Sequence, residues 1–303
     1  MSCGVLGRSW GFNDMDISGS TLVYGIIGDP VDHSLSPAIQ NAAFRWAGLN
    51  AVYLSFPVHG AELRWAIQGL KSLKVRGFNV TTPHKMAVLR YLDKVETEAA
   101  EIGSINTVKN EENALTGFNT DGTGALNAME EAGVRLDGQS VLVLGAGGAG
   151  RVIASVLAGR GCSLKLANRT ISNAKRLAKT LHNKSDLKPE IIPLSRKALH
   201  DAVNQADIIL NASSMGMDGK HNPPIDKEWI RGSHLVFDIV YRPIQTKLLQ
   251  DAVSTGARTI TGLDMLVNQG ACSFTLWTGK KAPIDEMRRA IAEKLTSENA
   301  ASR

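Results

Sequence analysis

A glycine loop set between an apolar run and an amphipathic segment constrains the fold of this chain more than any other feature. Residues 141–144 (VLVL) are continuously apolar, as expected for a strand that is covered on both faces. Residues 145–150 (GAGGAG) follow directly, and apolar residues then recur at helical spacing over 152–157. In such a strand–loop–helix unit, glycines permit a tight turn and let backbone amides approach a pyrophosphate at the helix N-terminus. The pattern therefore predicts a dinucleotide-binding unit.

The loop also has two alternative interpretations, which stay open. Glycine at a strand–helix junction can serve packing alone, and adenosylmethionine-binding proteins also carry glycine loops. The dinucleotide interpretation assigns all six loop residues to the cofactor, namely Gly145, Ala146, Gly147, Gly148, Ala149 and Gly150.

The end of the next predicted strand discriminates between NAD and NADP. NAD-binding folds usually place a carboxylate there, about 20 residues beyond the loop, to bond the ribose hydroxyls. Here the strand at 164–167 is followed by Asn168, Arg169 and Thr170. A carboxylate would repel a 2′-phosphate, whereas a guanidinium can bind it through paired charge-assisted bonds. The sequence thus predicts NADP, and the alternative is a surface arginine at a strand end.

Composition limits the class of protein. A chain of 303 residues predicts about two domains, and a hydrophobic share of 43% supports ordinary cores. The net charge of +5 comes from dispersed basic residues without a dense basic run, which argues against nucleic-acid binding. Cys3, Cys162 and Cys272 are far apart and outside any C-x-x-C pattern, so we expect no metal site and a reducing compartment. Because the first residues do not resemble a signal peptide and the apolar runs are short, we expect a cytoplasmic protein without membrane contact.

Strand-like and helix-like segments alternate along the chain, which predicts an α/β fold with mostly parallel pairing. The predicted strands are 21–27, 51–58, 77–81, 141–144, 164–167, 208–210 and 235–240, and the predicted helices are 37–46, 61–70, 85–92, 152–157 and 283–295.

Short polar motifs precede and follow the glycine loop. They are Ser34-Leu35-Ser36-Pro37, Asn79-Val80-Thr81-Thr82-Pro83-His84-Lys85, Asn106-Thr107, Asn119-Thr120-Asp121-Gly122 and Asn268-Gln269-Gly270. The first motif alone is explained equally well by a helix that Ser36 caps and Pro37 begins. Hydroxyls at a helix N-terminus can also hold an anion. Taken together, the motifs predict a site for a polar small molecule beside the dinucleotide.

The order of these motifs resembles the shikimate dehydrogenase family from Val23 to Lys294. The resemblance implies an N-terminal α/β substrate domain and a Rossmann-type dinucleotide-binding domain, with a cleft between them. The expected division is an extension at 1–20, a substrate domain at 21–122 that is completed by C-terminal helices at 264–303, and an NADP-binding domain at 123–263.

The resemblance also implies roles for individual residues. Lys85 and Asp121 carry the chemistry and contact the substrate, while Ser34 and Ser36 bind its carboxylate. The remaining residues implied for the substrate are Thr81, Asn106, Tyr241 and Gln269, and those implied for the nicotinamide end are Ile239 and Gly262. Tyr241 is equally well explained as a core aromatic residue. No metal is implied.

The implied activity is the reversible, NADP-dependent reduction of 3-dehydroshikimate to shikimate in the chorismate pathway to aromatic amino acids. Two alternatives stay open: a quinate/shikimate dehydrogenase that uses NAD or NADP, and a non-catalytic sensor that binds shikimate or quinate. A folate-linked dehydrogenase lacks support from the Asn-Thr-Asp-Gly motif. The sequence leaves the oligomeric state open, with a homodimer as one alternative.

Overall fold

The computed structural model of the chain describes residues 17–185 and 187–301, which form two six-stranded sheets with helices around them. Residues 1–16 of the predicted N-terminal extension, and Cys3 with them, lie outside the described residues. The elements associated with the first sheet are β1 (Leu22–Gly28), α1 (Ser36–Trp46), β2 (Ala51–Pro57), α2 (Leu63–Ser72), β3 (Gly77–Val80), β4 (Lys94–Val95), α3 (Thr97–Ile102), β5 (Thr107–Glu111), β6 (Ala114–Phe118) and α4 (Asp121–Glu131).

The first sheet is mixed, with the strand order β2-β1-β3-β5-β6-β4. β1 pairs in parallel with β2 and β3, but β5 runs antiparallel to both β3 and β6. The tight connection between β5 and β6 contains Glu112 and Asn113, whose φ angles are 49° and 67°. Positive φ at both central residues is typical of a two-residue hairpin turn. The expectation of mostly parallel pairing therefore missed this hairpin, because the sequence lacks the usual Asn-Gly signal there.

The predicted helix at 85–92 is wrong. Residues 82–87 form turns, and only Val88–Tyr91 makes a single 3-10 turn. The Lys85 carbonyl accepts a hydrogen bond of 2.8 Å from the Ile105 N–H, so it is engaged by the segment before β5. Lys85 is consequently held in a turn beside the sheet.

The second sheet has six parallel strands in the order β12-β11-β10-β7-β8-β9. Its elements are β7 (Ser140–Leu144), α5 (Gly148–Ala158), β8 (Ser163–Ala167), α6 (Ile171–Ser185), β9 (Glu190–Ile192), α7 (Arg196–Asn204), β10 (Ile208–Asn211), β11 (Leu235–Asp238), α8 (Lys247–Ser254) and β12 (Arg258–Ile260). The strand order reverses between β7 and β10, and in open parallel sheets ligands bind at the carboxyl ends of the strands at such a point. The loop at 145–150 lies there, between β7 and α5.

Two C-terminal helices, α9 (Gly262–Thr278) and α10 (Ile284–Ala301), pack against the first sheet. Phe274, Trp277 and Met287 are buried in one core cluster with Tyr24 of β1 and Phe44 of α1. The Trp277 indole N–H also donates to the Val108 carbonyl at 3.0 Å. The chain therefore returns to its first sheet at the C-terminal helices. The expected domain boundaries at 122 and 263 stay predictions.

The close approach of Trp277 to the sheet predicts that Gly77→Ala destabilises the protein. A Cβ at Gly77 would collide with the Trp277 ring, and overpacking of this kind typically costs about 1–3 kcal/mol. Chemical unfolding should show that loss. The matched control is Gly69→Ala in α2, where no atom lies within 4 Å of the Cβ position, so the substitution should stabilise by about 0.5–1 kcal/mol. Equal stabilities for the two variants would contradict the prediction.

Candidate active site

A lysine–aspartate ion pair lies beyond the carboxyl ends of β3 and β6. The Lys85 Nζ donates to Asp121 Oδ2 at 2.6 Å, and the two side chains are 17% and 5% exposed. Asp121 is the first residue of α4, where the helix dipole favours a carboxylate. Its backbone N–H donates to the Asn119 side chain at 2.9 Å, which fixes the start of the helix. Both partners therefore have restricted positions.

Asn106 holds the other oxygen of the Asp121 carboxylate. Its Nδ2 donates to Asp121 Oδ1 at 2.8 Å and lies 3.3 Å from Gln269 Oε1. Its Oδ1 accepts the Thr120 backbone N–H at 2.8 Å. Lys85, Asn106, Asp121 and Gln269 are thus brought together, and each Asp121 oxygen has a defined donor.

A buried polar network continues beneath this group. Asn79 Nδ2 donates to the hydroxyls of Thr107 and Ser273 at 3.0 and 3.1 Å, and Asn79 Oδ1 accepts from the Tyr53 hydroxyl at 2.6 Å. The Ser273 hydroxyl lies 3.2 Å from that of Thr120. Tyr53 is fully buried, and this burial raises its pKa well above the ordinary tyrosine value. Every polar group named here has a partner, as buried polar groups require.

The Ser34–Ser36 segment lies at the start of α1, beside Tyr53 of the same network. Ser36 is buried, and its side chain is close enough to Tyr53 to oppose part of the rise in the tyrosine pKa that burial causes. The interpretation of Ser36 as a helix cap is wrong, because α1 begins at Ser36 after Leu35 and has no side-chain cap. Ser34 Oγ accepts the Ser36 N–H at 3.2 Å instead, a local turn that leaves its O–H free to donate.

Two predicted substrate residues are less closely tied to this cluster. Thr81 lies just after β3, partly buried, and its N–H donates to the Ile27 carbonyl at 2.9 Å. Tyr241 packs against the apolar core of the first sheet, and burial raises its pKa. Within the described part of the chain, no hydrogen bond joins Tyr241 to the other predicted residues. The roles of both residues in substrate binding stay predictions.

The glycines of the loop are subject to different structural constraints. Gly145 has a φ of 110°, and a Cβ there would lie 2.8 Å from the Ala212 carbonyl oxygen. A Cβ at Gly150 would collide with the Gly145 carbonyl. Gly147, which precedes the first turn of α5, has no atom within 4 Å of its Cβ position. Packing therefore accounts for Gly145 and Gly150, whereas the open side at Gly147 suits a ligand.

The segment after β8 is tied to the loop by Asn168. Asn168 Oδ1 accepts the Ala146 N–H at 3.0 Å, and its Nδ2 donates to the Thr170 carbonyl at 2.8 Å. Arg169 and Thr170 are exposed. The Asn168 amide thus organises the protein itself, and contact with a cofactor stays a prediction for all three residues.

A buried carboxylate organises the carboxyl ends of β10 and β11. Asp238 accepts hydrogen bonds from Asn211 Nδ2 at 2.9 Å, the Val240 N–H at 3.0 Å and the Thr246 hydroxyl at 2.7 Å. Burial raises its pKa, while these three donors oppose that change. A Cβ at Gly262 would collide with the Ile239 carbonyl, so the backbone there is closely packed.

The two halves of the site meet at Gly148. A Cβ on this residue would lie 3.3 Å from Ser104 Oγ and 3.5 Å from Lys85 Cδ. The glycine loop of the second sheet therefore lies directly against the stem of the lysine from the first sheet. A dinucleotide at the loop and a small polar molecule at the lysine would be neighbours.

Comparisons with known protein families agree with this arrangement. The chain matches the shikimate dehydrogenase substrate binding domain over residues 26–108, the shikimate/quinate 5-dehydrogenase model over 127–248 and the shikimate 5′-dehydrogenase C-terminal domain over 262–292. It is 45% identical to the shikimate dehydrogenase (NADP(+)) of Moorella thermoacetica over 283 residues, which are 93% of this chain and 96% of that protein. The chain belongs to the shikimate dehydrogenase family.

Solved structures of the family share the fold. A shikimate dehydrogenase crystallised with NADP+ is 39% identical and superposes with a TM-score of 0.86 over 92% of this chain and 97% of that one. A quinate dehydrogenase of Corynebacterium glutamicum crystallised with NAD is 32% identical, with a TM-score of 0.82 over 90% and 99%. Both the fold class and the family resemblance seen in the sequence are thereby confirmed.

The described residues contain no cluster of histidine, cysteine or carboxylate side chains suited to a metal ion. Among the helices that the structure describes, none has the length and apolarity needed to cross a membrane. Cys162 and Cys272 are free thiols, and burial raises the pKa of Cys162 to about 11.

Several residues that hold this family site together were not predicted from the sequence. Tyr53 and Ser273 lie outside the polar motifs, and Asn79, Thr107 and Thr120 lie within them without having been assigned a role. The alternation of β2 places Tyr53 on the same face as Ala51, and a tyrosine buried there needs a partner for its hydroxyl. That is the one signal that could have pointed to it.

Removal of the Tyr53 hydroxyl should destabilise the folded protein. Tyr53→Phe would leave the buried Asn79 Oδ1 without this donor, which costs about 1–3 kcal/mol for a group of this kind. Denaturant unfolding measures the loss. Tyr24→Phe is the matched control, since Tyr24 belongs to the same core and its hydroxyl has no hydrogen bond within the described residues. A loss for the control as large as that for Tyr53→Phe would show that ring packing, not the network, is responsible.

Proposed function

We propose that this chain is an NADP-dependent shikimate dehydrogenase, which reversibly reduces 3-dehydroshikimate to shikimate in the pathway to aromatic amino acids. The observation that carries the proposal is the Lys85–Asp121 pair, bonded to Asn106 and lying against Gly148 of the glycine loop. This arrangement joins proton chemistry to a dinucleotide site. Curated relatives named shikimate dehydrogenase (NADP(+)) at 41–45% identity support the same activity.

The residues of the second sheet fit NADP. The first turn of α5 presents backbone N–H groups beside the open Gly147, and this suits a diphosphate. Arg169 is exposed just after β8, where an NAD-binding fold would usually have a carboxylate. Asn168, Arg169 and Thr170 would hold the adenosine end, while Ile239 and Gly262 would line the nicotinamide end. When bound, NADPH supplies the hydride.

Lys85 is positioned to supply the proton. Its ammonium has three N–H donors, and the Asp121 contact at 2.6 Å uses one of them. The others can point at the carbonyl oxygen of the substrate, which gains negative charge as its carbon accepts hydride. Transfer of one of these protons to that oxygen completes the alcohol, and the reverse step regenerates the ketone. Because both oxygens of Asp121 already accept hydrogen bonds, we assign it to holding the ammonium rather than to proton transfer.

The other polar residues would fix the substrate ring. Ser34 and Ser36 are assigned to the carboxylate, and the remaining substrate residues are Thr81, Asn106, Tyr241 and Gln269. Amides and hydroxyls of this kind discriminate strongly, because an analogue without the matching hydroxyl leaves them unpaired. The cytoplasmic location and the homodimer stay predictions.

Quinate is the competing substrate, since the matching family model covers shikimate and quinate enzymes and one structural neighbour is a quinate dehydrogenase. An assay of shikimate and quinate, each with NADP and NAD, separates the two by nicotinamide absorbance. Higher kcat/KM for shikimate with NADP supports the proposal, and higher kcat/KM for quinate contradicts it. Binding of shikimate without turnover of either compound would favour the sensor alternative.

Loss of the Lys85 ammonium should lower kcat strongly and weaken the binding of shikimate only slightly. We expect Lys85→Met to lower kcat by about 10²–10⁴, the usual contribution of a positioned acid or base. The negative charge on the reacting oxygen develops mainly in the transition state, so shikimate should still bind. Steady-state kinetics and calorimetry measure the two effects. Lys71→Met, which removes an ion pair with Asp93 elsewhere, is the control and should keep normal kcat. Near-normal kcat in Lys85→Met would refute the assignment.

The cofactor preference should depend on Arg169. Arg169→Ala removes a partner of the 2′-phosphate, and loss of such a charge-assisted bond typically reduces affinity about ten- to a hundredfold. NAD lacks that phosphate, so its binding is the internal control and should change little. Nucleotide titrations followed by fluorescence or calorimetry give both constants. Equal losses for NADP and NAD would remove Arg169 from the 2′-phosphate site.

A further inference from the structure

Arg151 is a buried arginine beside the glycine loop. It lies in the first turn of α5, is 9% exposed, and donates through Nε to the Ala146 carbonyl at 3.4 Å. Within residues 17–185 and 187–301, no carboxylate forms an ion pair with it. A buried charge without a counter-ion is unfavourable, because desolvation is not offset by a partner. Its guanidinium is therefore suited to an anion that comes from outside the chain.

Arg176 contributes a second positive charge on the neighbouring helix. It lies in the second turn of α6, which packs against α5, and its Nη2 donates to Asn173 Oδ1 at 2.9 Å. Burial first, and the charge of Arg176 second, lower the pKa of Arg151. Two guanidinium groups that repel each other are stabilised when an anion binds both of them.

The hydrogen bonds of Ala146 link Arg151 to the end of β8. Ala146 accepts from Arg151 through its carbonyl and donates through its N–H to Asn168 Oδ1, at 3.0 Å. Arg169 follows Asn168, and α6 begins directly after Thr170. In a Rossmann-type unit the end of this strand faces the ribose 2′-position, whereas the diphosphate lies at the N-terminus of the preceding helix.

We propose that Arg151 and Arg176 bind the 2′-phosphate of NADP together with Arg169. Three guanidinium groups, from α5, from the residue pair after β8 and from α6, then set the preference for NADP over NAD. The inference rests on the proposed NADP dependence and assigns two further specificity-determining residues to it. It explains why an arginine is buried at this position with no acidic partner among the described residues.

Two nucleotides that differ only in the 2′-phosphate test the proposal directly. Titrations of the full chain with 2′,5′-ADP and with 5′-AMP, without shikimate, should show weaker 2′,5′-ADP binding in Arg151→Met and in Arg176→Gln. The expected loss is about tenfold to a hundredfold for each, with 5′-AMP within about twofold of the wild type. Arg160→Gln is the matched control, because it removes the same charge beyond the other end of α5, where Arg160 pairs with Glu130.

Thermal unfolding separates this role from a structural one. If Arg151 serves the ligand, Arg151→Met without nucleotide should be at least as stable as the wild type, and only the stabilisation by 2′,5′-ADP should be lost. The exposed Arg176 provides a variant that does not disturb the core. Unchanged 2′,5′-ADP binding in both variants, or equal weakening of 5′-AMP, would overturn the proposal. Since these measurements involve no turnover, a failure to oxidise shikimate would contradict the proposed function and leave this inference standing.

Discussion

The Asp121 carboxylate is the group on which the rest of the site depends. One of its oxygens holds the Lys85 ammonium and the other holds the Asn106 amide, so the three side chains have one mutual arrangement. The helix dipole of α4 adds a favourable field at the same carboxylate. A lysine with its long flexible stem would otherwise occupy many rotamers. The ion pair therefore restricts the conformation of the Lys85 side chain, as packing restricts that of a core residue.

The network beneath this group explains how a site assembled from distant segments stays ordered. Tyr53, Asn79 and Ser273 come from β2, β3 and α9, and their hydrogen bonds continue to Asn106 through Thr107 and Thr120. Buried polar groups are stabilising only when every member has a partner. Loss of one member leaves others unsatisfied, so the network couples the position of α9 to that of the substrate residues.

The features that could be predicted are those that depend on residues close together in the sequence. The apolar run at 141–144 and the glycine loop specify β7 and the start of α5 locally, and the resemblance located Lys85, Asn106 and Asp121. The helix at 85–92 was predicted wrongly, because the bond from the Ile105 N–H to the Lys85 carbonyl joins residues 20 positions apart. Tyr53 and Ser273 were missed for a related reason: their partners are defined only by the register of the strands and the docking of α9.

Gly148 shows how the two sheets constrain each other. Gly145 is glycine because its φ is positive, and Gly150 because the Gly145 carbonyl approaches it closely. Gly148 has neither restriction, yet a Cβ there would lie 3.3 Å from Ser104 Oγ and 3.5 Å from Lys85 Cδ. Anything larger than a methyl group would displace the lysine stem or separate the two sheets. The requirement for a small residue at this position therefore comes from the contact between the cofactor loop and the catalytic lysine, not from the backbone of the loop itself.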